Sequence, residues 1–107
     1  MENTLIYISK KYVYKQKYLE VLNQFKNMFK YLISYYEITV LNDLKQNNIN
    51  VELINKKYMF DTLREDVKYV IVFYDLEDMH AADIITYCAL HTIPIMIINN
   101  PLDDLDV

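Results

Sequence analysis

Apolar positions in the second half of the chain form two short continuous runs, separated by a segment with helical spacing. Residues 69–74 (YVIVFY) are rich in β-branched and aromatic side chains, which is typical of a strand buried on both faces. A helix is expected over about residues 79–91, and Pro94 then precedes a second apolar run at residues 95–98. Two buried strands joined by one helix predict a parallel pair with a right-handed crossover.

The first third of the chain opens with a compact strand signal at residues 4–9 (TLIYIS). Beyond a polar connection, apolar residues recur in steps of four and three. They are Tyr18, Leu22, Phe25, Phe29 and Leu32. This spacing places them on one stripe and predicts a single amphipathic helix over residues 18–34.

Residues 36–46 fit two interpretations. Residues 36–41 (YEITVL) have the composition of a strand, whereas Val40 and Leu44 continue the helical stripe, which slightly favours a helix. Residues 49–54 alternate between apolar and polar side chains as a strand does. Residues 60–65 predict a short helix, with Asp61 as a candidate N-cap.

The predicted order of elements is β-α-(α or β)-β-α-β-α-β, which indicates a single α/β domain over residues 1–107. Its core is expected to be a doubly wound, mostly parallel sheet of four or five strands with helices on both faces. This is the architecture of flavodoxin-like and Rossmann-like folds. In particular, Tyr7, Val72 and Ile97 should lie on neighbouring parallel strands.

The amino-acid composition argues against several classes of ligand-binding and metal-binding site. The chain contains no glycine, which excludes the glycine-rich phosphate loops of Walker-type and dinucleotide-binding motifs. The two histidines, His80 and His91, lie at opposite ends of the predicted helix, so we expect no metal site and no cofactor. Backbone positions that need a positive φ must use Asn or Asp instead of glycine. The candidates are Asn47, Asn48, Asn50, Asn55, Asn99 and Asn100.

Residue usage also bears on origin and location. Glycine and tryptophan are absent and need GC-rich codons, whereas the abundant Ile, Lys, Asn and Tyr use AT-rich codons. This bias indicates an AT-rich genome, such as that of a phage or a virus. The single cysteine, Cys88, can form no internal disulfide, and no apolar run approaches the ~18 residues of a membrane span. We expect a cytoplasmic protein without a membrane partner, in the host cytoplasm if it is phage or viral.

Charge is distributed unevenly along the chain. Residues 1–31 carry six lysines and two glutamates, whereas the part after Lys68 carries seven carboxylates and no lysine or arginine. This pattern fits a solvated surface with an acidic tail, or a dipolar molecule whose basic face meets an acidic partner or a second copy. The net charge of −4 and the lack of an Arg-rich patch disfavour nucleic-acid binding.

Polar residues follow both strands of the second-half unit, at the end of the strands where open α/β sheets bind ligands. Asp75 and Asp78 lie in the acidic segment DLED after the first strand, and Asn99 and Asn100 follow the second strand. Their carboxylate and amide groups predict a ligand-binding cleft at the carboxyl ends of the strands.

Three segments carry a family resemblance. They are the opening TLIYISKKYVYKQKYLEVL, the strand and acidic loop VIVFY-DLED, and the closing ADIITYCALHTIPIMII. Together they resemble nucleoside 2-deoxyribosyltransferases, which have a first strand with Ile-Tyr, a strand that ends in an acidic loop, and a catalytic helix before a strand often opened by Pro. The related Toll/interleukin-1 receptor domains, some of which cleave NAD, share that closing helix and strand.

This resemblance implies attack by a carboxylate on the anomeric carbon of a nucleoside, with a tyrosine and an aspartate as positioning groups. It implies ligand-binding roles for Tyr7 and Tyr87 and suggests Asp83 as the catalytic carboxylate. Counted back from Pro94, however, the family's catalytic Glu falls on Ile84, one residue after Asp83. Side chains at successive helix positions point about 100° apart.

Residues 80–82 (HAA) also replace the glycines that precede that Glu in the family. The leading hypothesis is therefore a nucleoside- or nucleotide-binding domain with weak or lost N-glycosidic bond chemistry. One alternative is an active N-glycosidic hydrolase or transferase completed by an oligomer partner. Another is a noncatalytic interaction protein, such as a phage or viral inhibitor of a host factor. Since members of the family are typically oligomers, we expect at least a homodimer.

Overall fold

The computed structural model describes residues 3–15, 18–25, 28–34 and 36–99 of the 107-residue chain, with the backbone alone at 13–15. Its strands are β1 (Thr4–Ile8), β2 (Phe29–Ser34), β3 (Glu52–Leu53), β4 (Tyr69–Phe73) and β5 (Ile95–Ile98). Its α-helices are α1 (Lys10–Lys15), α2 (Tyr18–Leu22), α3 (Glu37–Gln46), α4 (Met59–Glu65) and α5 (Met79–Leu90). Two 3-10 turns cover Asn23–Phe25 and Lys56–Tyr58.

The strands described here form one sheet in the order β3-β2-β1-β4-β5, and every pair is parallel. Tyr7 is the register partner of Val72, and Val72 is in turn the partner of Ile97. The prediction that these three residues lie on neighbouring parallel strands is therefore confirmed. The predicted fold class, a doubly wound α/β sheet, is confirmed as well.

Each face of the sheet carries its own hydrophobic core. Along β1, Ile6 and Ile8 point to one face, where they pack with buried residues of α1, α2 and α3. Leu5 and Tyr7 point to the other face and pack with buried residues of α4 and α5. This alternation follows from the period of two along a strand, and it explains why β1 is apolar throughout.

The two halves of the sheet are wound in opposite directions from β1. The connections that leave β1 and β2 pass over the first face, and the connections that leave β3 and β4 pass over the second. The connections after the neighbouring strands β1 and β4 therefore diverge, which opens a crevice at the carboxyl ends of these two strands. In open α/β sheets this switch point is where ligands bind.

The predicted helix over residues 18–34 is wrong in its second half. Helix α2 ends at Leu22, and Phe29–Ser34 forms β2. Strand β2 lies beside the central strand β1 and is buried on both faces, with Leu32 in one core and Ile33 in the other. A strand buried on both faces has apolar residues at nearly every position, so its pattern also contains the three- and four-residue steps of a helix.

Other boundaries follow the predictions more closely. Residues 37–46 form α3, so the favoured of the two interpretations is confirmed. The strand predicted over residues 49–54 shortens to the two residues of β3. Asp61 is not an N-cap, because α4 begins at Met59 and places Asp61 inside its first turn. Strand β5 is less buried than its composition predicted, with Ile97 46% exposed, because β5 is the last strand in the sheet order.

Helices α3 and α5 end in the same way. The N–H of Ile49 donates to the carbonyl of Leu44, and the N–H of Ile93 donates to the carbonyl of Cys88. These six-to-one hydrogen bonds define a Schellman motif, whose next-to-last residue has a left-handed backbone. That residue is Asn48 after α3, with φ 61°, and Thr92 after α5, with φ 55°. Asn48 was among the predicted positions, whereas a β-branched residue such as Thr92 is an outlier there.

The length of the helices bears on whether they can cross a membrane. None of the helices within the described ranges combines the length and the apolar character required to cross a bilayer.

Candidate functional site

A cleft of about 400 Å³ opens at the carboxyl ends of the strands, beside the divergence of β1 and β4. Its wall residues come from the segments that follow β1, β3 and β4. They are Lys10, Lys56, Asp75, Glu77, Asp78, Met79 and His80. The cleft therefore combines two ammonium groups, three carboxylates, one imidazole and one thioether.

Asp78 lies in the loop after β4 and links that loop to β1 by hydrogen bonds. Its Oδ2 accepts hydrogen bonds from the Tyr7 hydroxyl at 2.7 Å and from the Ser9 hydroxyl at 2.8 Å. Both donors are inaccessible to solvent, since Tyr7 is 2% exposed and Ser9 is 0% exposed. Tyr7 therefore contributes its hydroxyl to this network, and its ring packs in the core between the sheet and α4 and α5.

The second oxygen of Asp78 caps α5. Oδ1 accepts from the backbone N–H of His80 at 3.0 Å and of Ala81 at 3.3 Å. An aspartate in this position satisfies N–H groups that would otherwise lack a helical partner, and its charge is favoured by the helix dipole. A carboxylate offers about four acceptor positions, so these four donors occupy its full capacity.

The protons in this network have defined places. Burial favours the neutral acid, but the hydrogen bonds from Tyr7, Ser9 and the backbone outweigh it and lower the pKa of Asp78. Burial raises the pKa of Tyr7, and the Asp78 carboxylate raises it further. The proton therefore stays on the tyrosine and the negative charge stays on Asp78 over the physiological pH range.

The rim of the cleft is built around Asp75. Its Oδ1 accepts from the backbone N–H of Glu77 at 3.1 Å, which forms an Asx turn that holds the loop. The Nζ atom of Lys11 lies 3.9 Å from the same oxygen. Lysines near the N-terminus therefore reach the acidic loop and offset part of its charge.

The structure brings some predicted site residues together at this cleft. Asp75 and Asp78 line it, and Tyr7 lies directly beneath Asp78. Asn99 is exposed after β5, at the same edge of the sheet but outside the cleft wall. Asn100 lies outside the described residues.

The two predicted site residues on α5 lie elsewhere. Asp83 is exposed in the second turn of α5 and does not line the cleft, while the next residue, Ile84, is fully buried in the core. Tyr87 lies nine residues beyond the N-cap, about 13 Å along the helix axis. There its ring stacks on His91 at a centroid distance of 4.1 Å and contacts Phe60 at 5.2 Å.

Sequence reasoning missed several residues of this site, including Met79 and His80 at the start of α5. Ser9 and Lys10 follow β1 directly, and their position at a strand end was an available signal. Lys56 lies on the connection from β3 to α4, and no local pattern marks it. Its place at the cleft depends on the strand order, which local sequence patterns do not reveal.

A separate polar cluster at the amino ends of the strands has a structural role. Asp66 accepts hydrogen bonds from Asn3 at 2.9 Å, from Lys30 at 2.6 Å and from the Tyr31 hydroxyl. The hydrogen bonds from Lys30 and Tyr31 lower the pKa of Asp66. This cluster ties the start of β1 and β2 to the segment before β4.

Within the part of the chain that the structure describes, no group of three or more His, Cys, Asp or Glu side chains is arranged to hold a metal ion.

No protein-family model, curated protein or solved structure matches the chain. The resemblance to nucleoside 2-deoxyribosyltransferases therefore stays a prediction that rests on short motifs.

Proposed function

We propose that the protein binds a nucleoside or a nucleotide in the cleft beside β1 and β4, with weak or no N-glycosidic bond chemistry. The observation that carries this proposal is a cleft at the switch point of a doubly wound sheet. The Asp78 carboxylate, held by Tyr7 and Ser9, lies at its base, and its wall carries both lysines and carboxylates. Such a position is where folds of this class take small ligands.

The wall chemistry suits a ligand with several hydroxyl groups. Asp75 and Glu77 supply carboxylate oxygens, which accept hydrogen bonds from sugar hydroxyls or from the amino group of a base. Lys10 and Lys56 supply cations for a phosphate. With three carboxylates against two lysines, the cleft favours a nucleoside or a monophosphate over a polyphosphate.

Weak turnover is proposed from the state of the carboxylates. Asp83 is exposed outside the cleft wall, and the position that the resemblance assigns to the family's catalytic Glu holds the buried Ile84. Asp78 lies in the cleft, but its four acceptor positions already receive four donors. Attack on an anomeric carbon needs a free oxygen lone pair within contact distance, so Asp78 is suited to hold structure and charge rather than to form a glycosyl bond.

Calorimetric titration with a panel of nucleosides and their monophosphates tests binding, and Lys56 provides a matched comparison. Lys56 lines the cleft and its neighbour Lys57 does not. We expect Lys56→Met to weaken binding of a monophosphate about tenfold and to change nucleoside binding much less, because a tenfold change corresponds to ~1.4 kcal/mol for one charge contact. Lys57→Met should bind as the wild type does. Equal effects of the two substitutions would place the phosphate elsewhere.

A base-release assay on the same panel tests the chemistry. We expect no release above background from the wild type or from Asp83→Ala. Robust release that disappears in Asp83→Ala would make the protein an active N-glycosidic enzyme and would overturn this half of the proposal.

One observation favours the alternative, a noncatalytic interaction protein that inhibits a host factor. Tyr58 and Phe60 are exposed aromatic residues, and Phe60 contacts Tyr87, which in turn stacks on His91. Aromatic side chains of this kind are enriched at protein interfaces. If no nucleoside or nucleotide binds at millimolar concentration, this alternative becomes the better proposal.

A further inference from the structure

Strand β5 ends the sheet on one side, and within the described residues no strand pairs with its outer edge. Its four residues, Ile95, Met96, Ile97 and Ile98, are all apolar. Ile97 is 46% exposed, although a residue of this type is usually buried.

The hydrogen bonds to β4 show which backbone groups of β5 face outward. The carbonyl of Pro94 accepts from Val70 at 3.0 Å, and the carbonyl of Ile98 accepts from Tyr74 at 2.9 Å. Since successive residues of a strand direct their N–H and C=O groups to opposite sides, the even-numbered residues face β4. Ile95 and Ile97 therefore direct their N–H and C=O groups away from the sheet.

The two edges of the sheet differ in how they are protected. At the far edge, β3 has two residues, one of them the exposed Glu52. Short edge strands and charged side chains are the usual means by which proteins prevent edge pairing. Within β5 there is no charge, no proline and no register shift against β4, so it lacks these protections.

We propose that β5 pairs antiparallel with β5 of a second copy of this chain about a two-fold axis. The edge fits itself, because the outward N–H and C=O groups of Ile95 and Ile97 are the donors and acceptors that an identical antiparallel strand needs. Uncharged strands pair without repulsion, and the exposed Ile97 side chain becomes covered by the partner. The result is a continuous ten-stranded sheet whose two outer edges are both β3, which stops further growth.

This geometry separates assembly from ligand binding. Antiparallel pairing turns the carboxyl ends of the two sheets toward opposite ends of the dimer, so each cleft is complete within one chain. The inference is therefore independent of the proposed function, and variants of either surface should leave the other property unchanged.

Sedimentation velocity of the full chain over about 1–100 µM tests the proposal, since four-residue strands form a small interface with an expected micromolar dissociation constant. We expect the mass to approach twice 12.9 kDa at the upper end. Ile97→Lys introduces an edge charge, and Ile97→Pro removes the outward N–H while sparing the bonds to β4. Each should weaken dimerisation at least tenfold. Asn42→Lys adds the same charge on the exposed face of α3, far from β5, and should dimerise as the wild type does.

Amide hydrogen exchange on the wild type gives a test that needs no variant. The exchange of the Ile97 amide should slow as the protein concentration rises, whereas that of the Leu53 amide, which faces outward at the opposite edge, should not change. A wild type that stays monomeric at about 100 µM overturns the proposal. So does a folded Ile97→Lys variant that dimerises normally, or an assembly that grows beyond two copies.

Discussion

Replacement of Asp78 by alanine should destabilise the protein far more than any other change in the acidic loop. The substitution removes the N-cap of α5, and loss of such a cap typically costs about 1 kcal/mol. It also leaves the hydroxyl groups of Tyr7 and Ser9 without their acceptor, and both residues are inaccessible to water. A buried polar group without a partner costs about 1–3 kcal/mol.

These contributions add to roughly 3 kcal/mol or more, or to about 2–4 kcal/mol if one hydroxyl finds a new acceptor. Such a loss is a large fraction of the 5–15 kcal/mol that is typical for a small domain. Asp75→Ala is the matched control, because Asp75 lies in the same loop and holds one backbone N–H. We expect that control to cost about 1 kcal/mol or less.

Urea unfolding of the variants at pH 7 measures these free energies, and a mutant cycle isolates their origin. In a Tyr7→Phe/Ser9→Ala background no hydroxyl depends on Asp78, so Asp78→Ala should then cost only the cap, about 1 kcal/mol. If Asp78→Ala costs less than 1 kcal/mol in the wild type, the network does not stabilise the fold and the reasoning fails. An equal cost in both backgrounds would show that the hydroxyls contribute nothing.

Three further outcomes follow from the same structure. Hydrogen bonds lower the pKa of Asp78 and of Asp66, so the stability that each carboxylate contributes is present above about pH 4 and is lost as the pH falls through the folded pKa. In an acid titration followed by circular dichroism, the folded signal of Asp78→Asn should therefore decline less steeply than that of the wild type. Burial raises the pKa of the Cys88 thiol to about 11, so the contribution of the neutral thiol to folding stability is complete below about pH 9 and declines as the pH rises through 11. At pH 8 a thiol reagent should label the buried Cys88 only as fast as the protein opens. Thr92→Gly should stabilise the protein by about 1 kcal/mol, or roughly 4–8 °C in Tm, because a left-handed backbone costs an L-residue about 1–2 kcal/mol. Asn48→Gly should change Tm less. A lower Tm for Thr92→Gly would contradict this account.

The unit from β4 to β5 was predictable almost to the residue, and β2 was not, for one physical reason. Pro94 separates α5 from β5, and an acidic loop separates β4 from α5, so each element has a marked boundary. No such marker separates α2 from β2. There the helical spacing of apolar residues continues through Phe25, and the pairing of β2 with β1 and β3 decides that Phe29–Ser34 is extended. Tertiary contacts thus override a local pattern that fits both structures.

The candidate site shows the same division between local and long-range information. A strand end followed by DLED was enough to place Asp75 and Asp78 at the edge where ligands bind. The partners of Asp78 are 71 and 69 residues away in the chain, and their contact exists because β1 inserts between β2 and β4. The family resemblance pointed to Asp83 on α5, whereas the strand order makes Asp78 the carboxylate at the base of the cleft.

The saturated state of Asp78 also determines which residues set ligand specificity. A ligand hydroxyl that binds Asp78 must displace one of four existing donors, two of which hold the helix and two of which are buried. The net gain from such an exchange is small, because one hydrogen bond replaces another. Asp75 and Glu77 line the same cleft, and the described hydrogen bonds do not saturate either carboxylate. Discrimination between ligands should therefore arise at the rim, while Asp78 keeps β1, β4 and α5 in fixed positions beneath it.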